Sequence, residues 1–534
     1  MIREVLRACS FGVLFSCALF AQPAGGSPRF EVADIHRSVS AMNPQTYRSG
    51  GFLRGERYDV RKATMLDLIR LAYGIEPDKV FGGPDWLAMT RFDIAARAPA
   101  SSSSQEVSRM LQSLLVERFG LTFHKDLRPL PVYALRVGAG SKMKEAPGAD
   151  APECKYQEQP STSTYTVYAC RNVTMAGFAQ QLHAMAGDYL ADPVVDATGL
   201  TGTWDFDLKW NSRNRILAAG KERTTIFSAM DQQLGLKLAP EKAPASVIVI
   251  DGVSEKPTDN VRGVERLLPP QPVQFEVASV KRARPDVHDG FCGGTPGGGF
   301  QARAETLSRL VATAWDVHWD HVDEMIVGMP KWMDTARYDI LARPSSATAG
   351  PPPPGASFVD DNLRVMLRTL LIDRFRIKAH YEDRLVDAYT LVAARPRLKK
   401  ADPSNRANCK EGGTVENDPR DRNPRLSRLV VCQNVTMAQF AEQLLPVSAN
   451  DFAYSVVDAT GLPGRWDLML SFTPTGDRRN PAGTLFGAGG DGDPNGAISV
   501  FDAINKQLGL RLVKGKRKLP VLVIDHIEEK PADN

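Results

Sequence analysis

Histidine and cysteine are the first places to look for chemistry, and the chain has eight of the former and seven of the latter. Only His124 and His380 recur at matching places in two similar stretches, each at the end of a strand-like run beside charged residues. That position favours a surface role over a catalytic one. No His-Glu-x-x-His motif is present, so a zinc peptidase of that type is not indicated, and no Gly-x-Ser-x-Gly elbow marks a serine hydrolase. Gly293–Gly299 is glycine-rich, but no Gly-Lys-Ser/Thr follows and Pro296 interrupts it. A phosphate loop needs backbone N–H groups feeding a helix start, so this stretch reads as a turn between strands. Asp491, Asp493, Asn495, Ser499 and Asp502, with Gly496 at the turn, have the spacing of a calcium loop of the EF-hand and dockerin type. The final ligand is Asp rather than Glu, and no helix leads in. The alternative is a loop in which Ser499 caps the next helix and Asp502 favours its N-terminus. Calcium is therefore the one cofactor left open, and no other is implied.

Four cysteines sit at matching places: Cys154 and Cys170, then Cys409 and Cys432, each pair just before an Asn-Val-Thr-Met sequence. One disulfide per stretch is expected in an oxidising compartment. Zinc would want Cys-x-x-Cys spacing and paired histidines, which are lacking. Cys292 has no counterpart. Asn172-Val173-Thr174 and Asn434-Val435-Thr436 match a glycosylation sequon. Their place before helices favours a capping role for the threonines. The matched aspartates Asp93/Asp339, Asp196/Asp458 and Asp205/Asp467 fall at strand ends and turns, where Asp has local hydrogen-bonding reasons to sit. The matched tryptophans Trp86/Trp332 and Trp204/Trp466 read as core or turn packing.

These matches belong to a larger pattern, an internal duplication. Phe30-Glu31-Val32-Ala33 returns at 275–278, Arg91-Phe92-Asp93-Ile94 as Arg337-Tyr338-Asp339-Ile340, and Asp196-Ala197-Thr198-Gly199-Leu200 unchanged at 458–462. Gln233-Leu234-Gly235-Leu236 returns as Gln507-Leu508-Gly509-Leu510, and Glu-Lys-Pro closes both units at 255–257 and 529–531. A fainter repeat inside each unit relates Tyr58–Met65 to Tyr168–Met175. Val107, Met110, Leu111, Leu114, Leu115 and Phe119 follow helical spacing, as do Leu363, Met366, Leu367, Leu370, Leu371 and Phe375. Each helix leads to a short strand, 121–124 or 377–380, and a second follows at 132–137 or 388–393. Val247–Asp251 and Val521–Asp525 read as buried strands with acidic ends.

The expected fold is α+β: two tandem homologous units, each of two small βαβαββ-like modules. The first unit spans 28–260, with modules at about 28–140 and 165–260. A Pro-rich linker covers 261–272. The second unit spans 273–534, with modules at about 273–396 and 428–534. Residues 1–21 have a basic start, an apolar run from Ala8 to Phe20 and Ala21, the pattern of a secretory signal peptide. No later segment is apolar enough to span a bilayer. The protein is expected to be exported, periplasmic or extracellular. The net charge is +4, from 66 basic and 62 acidic residues, which offers no nucleic-acid footprint.

The repeated Phe-Glu-Val-Ala, Arg-Phe-Asp-Ile, Asp-x-Thr-Gly-Leu and Gln-Leu-Gly-Leu motifs resemble an acidobacterial, soil-associated exported family of unknown function, present here in tandem. The resemblance covers nearly all of the mature chain and supplies no catalytic residues. More loosely, helix, Gly-Leu and strand resemble the short N-terminal domain of secretins and TonB-dependent receptors, small periplasmic modules that bind partners. These readings favour a non-enzymatic binding module for a protein or envelope polymer. The alternatives are an extracytoplasmic hydrolase and a sensor partner in envelope-stress signalling.

Overall fold

The computed structural model describes residues 27–38, 48–146, 148, 151–160, 163–213, 215, 223–271, 273–284, 286–287, 290–295, 298–318, 321–345, 359–402, 406–412, 418–423, 425–448, 451–452, 454–474 and 496–533. The protein is α+β and consists of one unit present twice in tandem.

Unit one contains β1 (Val32–Arg37), β2 (Ser49–Arg54), β3 (Arg57–Thr64), α1 (Met65–Tyr73), β4 (Val80–Gly82), β5 (Arg91–Arg97), α2 (Ser104–Phe119) and β6 (Thr122–Val137). It continues with β7 (Lys144–Glu145), β8 (Glu153–Tyr156), β9 (Tyr165–Val173), α3 (Met175–Met185), β10 (Val194–Asp196), β11 (Trp204–Asn211), α4 (Ile226–Ala229) and β12 (Leu236–Gly252). Unit two repeats this as β13 (Val277–Arg282), β14 (Phe291–Gly294), β15 (Phe300–Thr306), α5 (Leu307–Ala314), the short α6 (Val322–Met325), β16 (Ile326–Val327), β17 (Arg337–Arg343), α7 (Asp361–Phe375) and β18 (Lys378–Ala393). Then come β19 (Lys399–Lys400), β20 (Asn408–Glu411), the short α8 (Pro419–Arg422), β21 (Arg428–Val435), α9 (Met437–Val447), β22 (Val456–Asp458), β23 (Trp466–Phe472), α10 (Val500–Ala503) and β24 (Leu510–His526).

Four sheets share one topology: β1-β5-β3-β2, β7-β11-β9-β8, β13-β17-β15-β14 and β19-β23-β21-β20. In each, the strand before the first helix carries a bulge whose residue is left-handed: Lys62, Asn172, Ala304 and Asn434, with φ of 52°, 52°, 44° and 50°. The bulge amide donates to an aspartate on the neighbouring strand. The distances are 2.8 Å to Asp93, 2.8 Å to Asp205, 2.7 Å to Asp339 and 3.0 Å to Asp467. Arg91, Arg337 and Arg465 donate to the carbonyl of the same bulge in three of the four. Two residues on, Thr64, Thr174, Thr306 or Thr436 caps the helix. The clasp thus ends a strand and starts a helix in about three residues. It also explains the sequon-like motif. Asn172 and Asn434 are 7% and 1% exposed, so the asparagine is a bulge residue and the threonine a cap.

The second helix of each repeat also ends left-handed, at Gly120, Gly235, Arg376 and Gly509, and the chain turns straight into a long strand. The two short strands expected at 121–124 and 132–137 are one continuous strand, as are those at 377–380 and 388–393. In unit one prolines gave the false break; in unit two, which has no proline between Lys378 and Ala393, the charged residues Glu382, Asp383 and Arg384 did. Pro129 stands opposite Pro244 and Tyr133 opposite Pro240. The Tyr133 amide points outward, donating to Pro193 O at 2.8 Å. Every second residue from it does the same, so Pro129 and Pro131 lack only an outward-facing N–H.

The long strands pair antiparallel, β6 with β12 and β18 with β24, into ribbons with the shape of a hairpin although the second half of the unit lies between them in the chain, and these hairpins weld the two halves of a unit together. In unit one the central sheet runs β10-β6-β12-β4, with β4 and β10 each parallel to the long strand of the opposite half. One end of the hairpin puts Leu121, Ile248 and Ile250 into the first core; the other puts Tyr133, Leu135 and Leu236 into the second. Unit two repeats the arrangement as β16-β24-β18-β22. Neither half closes its core with its own residues.

Two outcomes follow. A Cβ at Gly235 would lie 1.8 Å from Gly140 O, whereas one at Gly120 would meet nothing within 4 Å. Gly235→Ala is expected to cost over about 3 kcal/mol and Gly120→Ala about 1 kcal/mol, measured by urea denaturation; equal costs would contradict the packing described. Asp205→Ala, which removes one clasp, should cost about 1–3 kcal/mol in the same measurement.

Candidate functional site

The histidines matched by sequence come together with the acidic strand ends. His124 Nδ1 lies 2.8 Å from Asp251 Oδ1, and His380 Nδ1 lies 2.8 Å from Asp525 Oδ2. Both pairs join the two strands of a long hairpin. Two residues along, on the same face of the strand, a second acid takes up an arginine: Arg128 Nε donates to Asp126 at 3.0 Å, and Arg384 Nε to Glu382 at 2.9 Å. The Arg128 hydrogen bond, with that from the Leu127 amide, holds the Asp126 carboxyl below its ordinary range. Each hairpin therefore carries a stripe of acid, histidine, acid and arginine. The histidines are 57% and 53% exposed.

The other face of the same strands differs between units: Phe123, Lys125 and Leu127 stand where Ala379, Tyr381 and Asp383 stand. With Nδ1 engaged by the carboxylate, Nε2 is the remaining ring nitrogen of each imidazole. No group of three or more His, Cys, Asp or Glu suited to a metal occurs among the described residues.

The matched aspartates have the local roles expected of them. Asp93, Asp205, Asp339 and Asp467 hold the bulges, and Asp196 and Asp458 accept from the amides of Thr198 and Thr460 at 2.9 and 2.8 Å. Trp86 and Trp332 pack against the first core of each unit, and Trp204 and Trp466 against the second. Thr295 N donates to Gly299 O at 2.8 Å, between the antiparallel strands β14 and β15. Cys154–Cys170 and Cys409–Cys432 are disulfides, each joining directly opposed residues of an edge strand and its neighbour. Cys292 is a free thiol, its pKa pushed up by burial, with Sγ 3.8 Å from the Thr313 hydroxyl. Asp491, Asp493 and Asn495 lie outside the described residues. Asp502 accepts from the Ser499 hydroxyl at 2.8 Å, and its amide donates back to Ser499, the capping arrangement. A cavity of about 400 Å³ beside α7 is lined by Glu276, Asp373 and Asp533 as well as Arg374 and Arg376, a mixed set of charges.

A seam between the units escaped the sequence. Ser49 donates to Asp361 at 2.8 Å, Arg54 to Asp360 at 2.5 Å and Lys62 to Asp316 at 2.8 Å, while Arg364 lies 3.3 Å from Asp316. Farther along, Arg465 reaches Asp85 at 3.1 Å, and Met89 packs against the last core of unit two. The seam joins non-equivalent surfaces, so no repeat pointed to it.

The fold is a tandem array of disulfide-bearing α+β units, each welded from two swapped halves around a long hairpin. The family model that matches it, described as Protein of unknown function (DUF3738), covers residues 66–253 and 308–527, one copy per unit. The chain belongs to that family and holds its unit twice. Neither the curated proteins nor the solved structures include a match. No helix among the described residues is long and apolar enough to cross a membrane.

Burial alone would raise the Asp361 carboxyl. The charges of Lys62 and Arg364, with hydrogen bonds from Ser49 and Arg364, outweigh it and hold the group below its ordinary range. A depressed folded pKa contributes stability that is present above about pH 4 and lost as the pH falls below it. Asp361→Asn should cost about 1–3 kcal/mol at pH 7 and flatten the acid limb of the stability profile, read by calorimetry from pH 7 to 3.

Proposed function

We propose that this protein is a non-enzymatic binding module working outside the cytoplasm, and that it recognises a protein or envelope polymer through the hairpin stripes. The repetition of the stripe carries the reading. Exposed ion pairs contribute only about 0–1 kcal/mol each, so stability gives little reason to keep the same four side-chain types in both units. The strand faces behind them have diverged. Two stripes on one chain also raise avidity for a partner with repeated sites. The disulfides are consistent with an oxidising compartment, periplasmic or extracellular. The likeness to the short N-terminal domain of secretins points the same way.

One observation favours a second reading. A histidine held at Nδ1 by a carboxylate is the arrangement of a general base, which would suit a hydrolase. The two are separated by substituting His124 and His380 with Ala, Arg128 and Arg384 with Ala, and all four together, in mature protein from residue 22 onward with disulfides intact. For a binding module, a specific partner pulled down from the organism's envelope is lost with the fourfold variant. The single-stripe variants (H124A/R128A and H380A/R384A) weaken it about 10-fold or more through lost avidity. Unchanged capture by a folded fourfold variant would reject the stripes as the binding surface. Ester hydrolysis abolished by the histidine substitutions alone would favour the enzyme.

A further inference from the structure

The two units differ most sharply along the middle of the second long strand. In unit one, β12 carries Pro240, Glu241, Lys242, Ala243 and Pro244 there; the same register positions of β24 are Lys514, Gly515, Lys516, Arg517 and Lys518. The direction of the backbone decides what this means. Tyr389 N donates outward to Ser455 O at 2.8 Å. Its register partner is Lys514, and the next outward pairs are Asp387–Lys516 and Leu385–Lys518. Lys514, Lys516 and Lys518 therefore turn their N–H and C=O groups away from β18. Among the described residues the strand paired on that outer side is β16, which covers only Leu522 and Val523. All three lysines are exposed. Lys514 lies 5.1 Å from the Tyr454 ring, and among the described residues Lys516 and Lys518 have no ion pair. Leu385 is 63% exposed beside them. In unit one, Pro240 and Pro244 remove the outward N–H at the first and third of these positions.

We propose that the outer edge of β24 from Lys514 to Lys518 is a docking site for an acidic peptide, which adds to the sheet as an extended strand. This rests on the binding reading above and gives its partner a chemistry. The backbone edge supplies hydrogen bonds to an incoming main chain. The lysines supply charge complementarity to the acidic side chains of the added strand. The same lysines repel a second copy of this edge, so the site is open to acidic strands and closed to itself. Unit one has the same architecture with two of the three outward N–H groups removed.

The probe is an acetylated, fluorescein-labelled decapeptide of alternating Glu and Val, with a Lys–Val peptide as control. Anisotropy is measured against the full mature chain with its disulfides intact. The Glu–Val peptide should bind once per chain and weaken as salt rises, and the control should not bind. Bound peptide should protect the amides of 514–518 from hydrogen exchange. Lys514→Pro with Lys518→Pro, copying unit one, should weaken binding about tenfold or more; Pro240→Lys with Pro244→Lys should create a second site. Because the proline variant could fail to fold, Lys514→Gln with Lys516→Gln and Lys518→Gln provides a charge-only test, expected to abolish the salt dependence while keeping every N–H.

Three results would overturn the proposal. One is absence of binding with self-association of the glutamine variant, which makes the lysines edge guards only. Another is absence of binding without self-association. The third is tight binding of polyphosphate that survives the proline replacements, which makes the patch a general polyanion surface. In any of these cases, loss of the natural partner from the stripe variants would leave the broader binding reading standing.

Discussion

A single hydrogen-bonded clasp recurs four times and sets the geometry of each repeat. The amide of a left-handed bulge residue donates to an aspartate one strand away, and a threonine two residues later opens a helix. A left-handed non-glycine residue costs about 1–2 kcal/mol, so it persists only where its surroundings hold it. The aspartate supplies a charge-assisted hydrogen bond, and three of the four repeats add an arginine on the bulge carbonyl. The bulge bends the strand, the bend aims the helix across its sheet, and the buried side chains of that helix fill the core.

The second constraint is the pair of long hairpins. A strand of 16 residues pairs with one of 17, and each reaches well past the core of its own half. The overhang completes the core of the other half. The size of the family match follows from this: it takes both halves together. The middle of each hairpin lies between two cores, and among the described residues no strand pairs with either edge there, which is why exposed charges collect there.

Duplication followed by docking has made the two units unequal. Both keep the stripe of acid, histidine, acid and arginine, but unit one offers Lys62 and Arg54 to the seam while unit two offers Asp316 and Asp360. Isolated ion pairs at a surface contribute little. These are largely buried, and Asp316 is joined onward through Arg364 to Asp361 and Ser49, so the loss of one member leaves a buried charge with the full cost of desolvation.

By itself the sequence determined the tandem α+β architecture, the matched cysteines, the helices with their caps and the local roles of the matched aspartates. Each rests on short-range rules, period 3.6, a cap, a turn, that show in a few neighbouring residues and were written twice. The continuous strand of unit one was hidden because proline reads as a break in one dimension, and that of unit two because a charged middle interrupts its apolar pattern. Only the pairing register reveals that the missing N–H groups point away from the partner strand. His124 and Asp251 stand 127 positions apart, so their pairing depended on that register as well. The seam and the open edge of β24 were decided by tertiary structure alone. Both depend on which surfaces face each other or are left uncovered, and that geometry of the folded chain has no counterpart in the spacing of residues along it.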